Sequence, residues 1–191
     1  PSCQDLRIFY KSQLAQDFKF NSDLSKVDCQ AKEMKTIEAF YFLFQISDHS
    51  SYFWVRERIK TIQFAEAYIS RDEGTNVTLA RNDSSGVEHK VNLALASANQ
   101  KGDLTVFDHF AQLLVRNNPE RSLVRRVGVL IHEARHMDKD DPGHVVCVKG
   151  PLAGTFSCDP TNQLDDAGGA YVYEALFWED YLKSSSKLIP K

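Results

Sequence analysis

Residues 129–136, Val129-Leu130-Ile131-His132-Glu133-Ala134-Arg135-His136, combine two imidazoles and a carboxylate at a spacing that suits a metal ion. On a helix, residues four apart lie on one face a turn apart, so His132 and His136 can present ring nitrogens to a single Zn2+. Glu133 then sits beside the ion. A carboxylate there can take a proton from zinc-bound water, whose pKa the metal has already lowered towards neutrality. The pattern points to metal-assisted hydrolysis with Glu133 as catalytic base. Chance produces it in a chain of this kind with a probability on the order of one in a hundred.

The flanking residues supply a helix for the motif. Asn118 is a good N-cap, Pro119 suits the first helical position, and Glu120 faces the positive end of the helix dipole. Leu123, Val127, Leu130 and Ala134, joined by Val124 and Ile131, then recur at helical spacing and form an apolar stripe that must meet a core. Gly128, one turn before His132, leaves room for a neighbour to approach. Asp138 to Asp141 with Pro142-Gly143 ends the helix. Beyond that end lies His144, and Gly143 permits the tight turn that would bring it back as a third metal ligand. Asp138 and the later acids are weaker candidates in a solvated charged run.

The HEARH stretch resembles the HExxH signature of the zincin metallopeptidases. The longer pattern, HEARH followed by Gly143-His144, Cys147, Cys158-Asp159 and Gly169-Ala170-Tyr171, is similar to a group of small secreted bacterial proteins of unassigned function. The matches span roughly residues 120 to 180. The zincin resemblance implies a zinc-dependent hydrolase with His132 and His136 as ligands and Glu133 as general base. The metzincin branch continues with a glycine and a third ligand at fixed spacing, whereas here Asp138 and Lys139 follow Met137. The thermolysin-like branch takes its third ligand from a glutamate on a later helix, which makes Glu174 the alternative metal ligand, although the Asn-Glu pair of that branch is missing. In such a mechanism a protein donor steadies the oxyanion, and Tyr171 or Tyr173 could serve; both also suit packing in an apolar helix. An edge strand beside the metal would hold an extended substrate by main-chain pairing.

A chain of 191 residues suits a single domain with a sizeable core. A net charge of −3 without a dense basic run argues against nucleic acid or an anionic membrane surface as partner. Arg121, Arg125 and Arg126 fall on different faces of their helix. Cys3, Cys29, Cys147 and Cys158 allow three connectivities, and the simplest joins Cys3 to Cys29 and Cys147 to Cys158. Such bridges would place the protein outside the cytoplasm, secreted or periplasmic. The alternatives are reduced thiols, or a structural zinc shared by His144, Cys147 and Cys158. The chain has no membrane-spanning run or signal peptide, and its start at Pro1-Ser2-Cys3 is that expected of a mature or trimmed form.

Within the single domain, residues 1–60 are expected to form a helical or irregular layer, and residues 61–182 a sheet with the active-site helices. The run Ala39-Phe40-Tyr41-Phe42-Leu43-Phe44 fits a buried helix or a strand. His49 falls in a polar loop. Residues 61–69 alternate like a strand. Residues 76–81 and 87–95 suggest a hairpin across Asn82-Asp83-Ser84-Ser85-Gly86, with N-glycosylation sequons at Asn76 and Asn82. Residues 100–103 suggest a turn, followed from Val106 by a helix packed on the motif helix. Residues 163–182 repeat at three and four as a second long helix, thinned at its start by Gly168-Gly169 for close packing.

The expectation is therefore an α+β, zincin-like fold: a small antiparallel sheet, a buried zinc-binding helix and a second packed helix. The expected substrate is a peptide, protein or peptidoglycan-like amide, bound by a monomer. Two other classes compete: a secreted binding or inhibitory protein that uses zinc only as a clip, and an interaction domain in which Glu133 merely pairs with an arginine.

Overall fold

The computed structural model describes residues 1–46, 50–66, 95–112, 118–146, 148, 158–160 and 168–184. In chain order these form α1 (Cys3–Phe9), a π-helical turn (Tyr10–Leu14), α2 (Ala15–Asp17), β1 (Lys19–Phe20), a 3-10 turn (Leu24–Lys26), α3 (Lys32–Gln45), α4 (Ser50–Arg58), β2 (Thr61–Phe64), β3 (Ala96–Ala98), β4 (Asp103–Val106), α5 (Asp108–Gln112), α6 (Pro119–His136) and α7 (Ala170–Ser184). The architecture is mixed α+β.

The motif helix α6 begins as its sequence dictates: the Asn118 side chain accepts from the Arg121 N–H, and Pro119 occupies the first turn. Val124, Val127, Leu130 and Ala134 are fully buried. Among the described residues α6 packs most extensively on α7 and also against α3, β3 and α4. The aromatic run that suited either helix or strand lies in α3. The Lys32-Glu33-Met34-Lys35 stretch ahead of it favours helix, and the combined 14 residues exceed a usual strand. Met34, Ile37, Phe40 and Leu43 put its buried face into the same core as α6.

The sheet differs from expectation. Its order is β1-β2-β4-β3, with β1–β2 and β2–β4 parallel and only β3–β4 antiparallel. Strand alternation carries no information on pairing direction, whereas the α3–α4 excursion between β1 and β2 supplies the long crossover that parallel neighbours need. β1 also takes the sheet into the first 60 residues, which therefore contribute more than a helical layer. The expected hairpin strand 76–81, both sequons, His49 and most of 87–95 lie outside the described residues. The hairpin present is β3–β4, turning through Gly102 at a φ of 90°. After β4 the helix is short, begins at Asp108 rather than Val106, and packs chiefly on α3 rather than on α6.

Cys3 and Cys29 are disulfide-bonded, as their pairing predicted, and tie α1 to the segment ahead of α3. Cys158 is also disulfide-bonded; Cys147 lies outside the described residues. No helix among the described residues is long and apolar enough to cross a membrane.

Candidate metal centre

The i, i+4 spacing on α6 sets the rings of His132 and His136 edge to face, 4.9 Å apart between centroids. The chain then caps at Met137, turns through Gly143 at a φ of 68°, and returns His144 to the same point. The His136 Nε2 is 3.2 Å from the His132 Nε2 and 3.0 Å from the His144 Nε2. One ligand atom from each of the three residues falls within 4.8 Å of the others.

Each imidazole has a carboxylate at its other nitrogen. The His136 Nδ1 hydrogen-bonds the Asp141 Oδ2 at 2.8 Å, and that oxygen also accepts the Gly143 N–H, so Asp141 holds both the ring and the turn. Glu174 on α7 lies 3.3 Å from the His132 Nδ1, and Asp159 lies 3.5 Å from the His144 Nδ1; both contacts are at ion-pair range without hydrogen-bond alignment. Asp159 is itself held by the Val172 N–H at the start of α7. Carboxylates at all three Nδ1 atoms favour the Nδ1–H tautomer, which leaves the Nε2 lone pairs aimed at one another. Three such lone pairs repel unless a cation lies between them. A tetrahedral zinc at its usual Zn–N distance sets neighbouring nitrogens about 3.3 Å apart, close to the spacing found. The donor set fits zinc.

Electrostatics treat His136 and His132 differently. Burial holds His136 below the ordinary imidazole range and so favours its neutral, ligating form. Burial also pushes His132 down, but the carboxylates of Glu174 and Glu133 outweigh it and raise the ring. Asp159 is pushed up by burial and pulled further down by His144 and the Val172 N–H.

Glu133 is buried beside this cluster, and burial raises its carboxyl to about 7 against the opposing pull of His132, His144 and a hydrogen bond from the Ala98 N–H. Its Oε2 has no hydrogen-bond partner among the described residues. Among the described residues no arginine is ion-paired to Glu133. Tyr171 lies over the imidazoles, its ring 4.5 Å from that of His132 and 4.9 Å from that of His144. Tyr173 faces elsewhere: it stacks on Trp54 at 5.5 Å and lies under the Arg135 guanidinium.

The two candidates for third ligand differ in position. His144 supplies its Nε2 to the convergence point, whereas Glu174 stands behind His132. A zinc shared by His144, Cys147 and Cys158 is incompatible with an oxidised Cys158. Asp141 and Asp159 went unnoticed as histidine partners in the sequence. Asp141 followed closely by Gly143-His144 is a usable signal, since a short acid before a turn can bond both the turn and the preceding helix; nothing local marks Asp159.

No protein-family model, curated protein or solved structure matches this chain.

Proposed function

We propose that this protein is a zinc-dependent hydrolase of amide bonds, acting on a peptide, protein or peptidoglycan-like substrate outside the cytoplasm. One observation carries the reading: three Nε2 atoms converge, each imidazole is backed by a carboxylate, and a buried glutamate near neutrality lies alongside. His132, His136 and His144 would hold the ion, and a three-residue set leaves a coordination position for water or substrate. Zinc bound there supplies Lewis acidity to the carbonyl and makes water readily deprotonated. A structural clip would need a fourth protein ligand, and no further His, Cys, Asp or Glu joins the group among the described residues.

The remaining work falls to the chain. Glu133 has an acidity suited to accepting a proton from water and returning it to the leaving amine. Tyr171, exposed beside His132 and His144, would be the donor that steadies the oxyanion. Among the described residues β3 is a sheet edge. Leu95 and Asn99 bond β4 through Phe107 and Asp103, so the backbone groups of Ala96 and Ala98 face away from it, towards Glu133. On that side the Ala98 N–H is already taken by Glu133, so an extended substrate paired along this edge would use the other backbone groups of Ala96 and Ala98. The disulfides fit an oxidising compartment.

The test combines metal analysis with turnover. Purified protein should carry zinc at one equivalent, an anomalous map at the zinc edge should show three protein ligands, and a peptide or cell-wall fragment library should yield cleavage that chelation abolishes. A fourth protein ligand at the ion would overturn the catalytic reading, and metal-free protein that takes up no zinc would overturn the metal centre.

A further inference from the structure

Arg135 sits between the two motif histidines in sequence but about 100° round the helix from His136. It is a charged side chain with only 1% of its surface exposed. Its guanidinium reaches in three directions. The Nε donates to the Gly168 carbonyl at 2.8 Å, just ahead of α7. The Nη1 meets Asp138 at 3.1 Å and Asp140 at 2.6 Å, and the Nη2 donates to the Asp140 carbonyl at 3.3 Å. Its flat face covers Tyr173, which stacks on Trp54, whose other neighbour is the Arg58 guanidinium 4.1 Å from the ring. Arg58 closes the set by bonding Asp138 at 2.7 Å.

These contacts join the pieces that the metal group needs. The loop bound through Asp138 and Asp140 leads directly to Asp141, Gly143 and His144. Gly168 precedes the helix that carries Tyr171, Val172 and Glu174, and Val172 in turn fixes Asp159 behind His144. The first two ligands need no such help, since α6 presents both. His144 reaches the group only if the loop folds back. A planar fork with several fixed donors can tie down two carbonyls and two carboxylates at once, which a lysine cannot do.

We propose that Arg135 is a positioning residue for the metal centre: it clamps the 138–143 loop and the start of α7 against α6 and so holds His144 in place. This rests on the metal-centre reading above. Zinc affinity, measured by chelator competition, and the far-UV CD and melting curve of the metal-free protein should be compared for wild type, Arg135→Gln, His144→Ala and the double variant. Arg135→Gln should weaken zinc by about ten- to a hundredfold, the range seen when outer-shell support is lost, while retaining the metal-free CD spectrum. In the His144→Ala background the same substitution should change affinity by less than about threefold, because the ligand through which it acts is gone. Equal losses in both backgrounds would reduce Arg135 to a general structural role, and wild-type affinity in Arg135→Gln would overturn the clamp outright. If Arg135→Gln does not fold, Asp140→Ala, at the exposed end of the clamp, should show the same dependence on His144 at a loss of about two- to fivefold, and an additive effect there overturns the proposal equally. Absence of zinc binding by the wild type would instead overturn the metal-centre reading and the clamp with it.

Discussion

Glu133 carries two separable properties, a proton affinity and a position, and Glu133→Gln distinguishes them. The amide keeps the shape and removes no ligand, so zinc content should stay near wild type by elemental analysis while turnover disappears. Its acidity also has a consequence for folding. The folded-state value, raised from 4.5 to about 7, means that the native protein binds this proton more tightly than the unfolded chain does. The associated stabilisation is complete below the unfolded value and is lost as pH rises through the folded one, a difference of about 3 kcal/mol. Melting curves of the metal-free proteins should therefore show Glu133→Gln gaining on wild type between about pH 5 and pH 8; a constant gap would contradict the raised value. For the histidines, His144→Ala should cost orders of magnitude in zinc affinity, and Glu174→Gln about ten- to a hundredfold, as expected of a residue behind a ligand. The opposite ranking would make Glu174 the ligand. The three imidazoles and Glu133 were legible in the sequence because a helix converts spacing directly into geometry and because Gly143 announces a turn. Two of their carboxylate partners were not legible in that role: Asp159 and Glu174 arrive from segments whose approach depends on tertiary packing, and no local period encodes that.

Two glycines set how closely elements can meet around α6. At Gly128 a Cβ would come within 3.0 Å of the Trp178 Nε1 and 3.1 Å of the Glu174 Cγ, which is the close approach its position in the motif helix suggested. At Gly169 a Cβ would fall 2.4 Å from the Asp159 Cγ, nearer than any real contact. Gly169→Ala should therefore displace Asp159 and loosen His144, weakening zinc about tenfold in a chelator competition while leaving the helical CD signal intact. Truncating the buried stripe acts differently. Leu130→Ala, at a fully buried position, should cost about 2–5 kcal/mol in denaturant unfolding through the cavity it leaves. Legibility at this scale divides along the same physical line. Helix α6 was readable to its first residue because cap, proline and stripe are all local. The mixed sheet was not, because β1 is a two-residue strand and the parallel pairing of β2 with β4 depends on what lies between them.

Across the whole molecule, covalent cross-links act on more than one segment. The Cys3–Cys29 bridge closes a separation of 26 residues and holds α1 to the segment ahead of α3. Its loss through a double Cys→Ser substitution should lower stability by about 3 kcal/mol, most of it through the unfolded chain, and leave zinc affinity unchanged. Cys158 is different, since its backbone pairs with Val145 in both directions, at 2.7 and 3.1 Å, immediately beside His144 and Asp159. Zinc itself should stabilise the fold by about 4 kcal/mol when present at a thousandfold above its dissociation constant, seen as a melting temperature that falls on chelation.

The unequal burial of the three candidate ligands would also set a clock. The His132 side chain is 9% exposed, whereas those of His136 and His144 are 18% and 21% exposed. The least buried ligand rides on a turn whose chief anchors are side chains, and the other two ride on a helix locked into the core. An ion held at this centre would therefore leave by way of the His144 side, with a residence time that follows the opening of that turn rather than the lifetime of the fold.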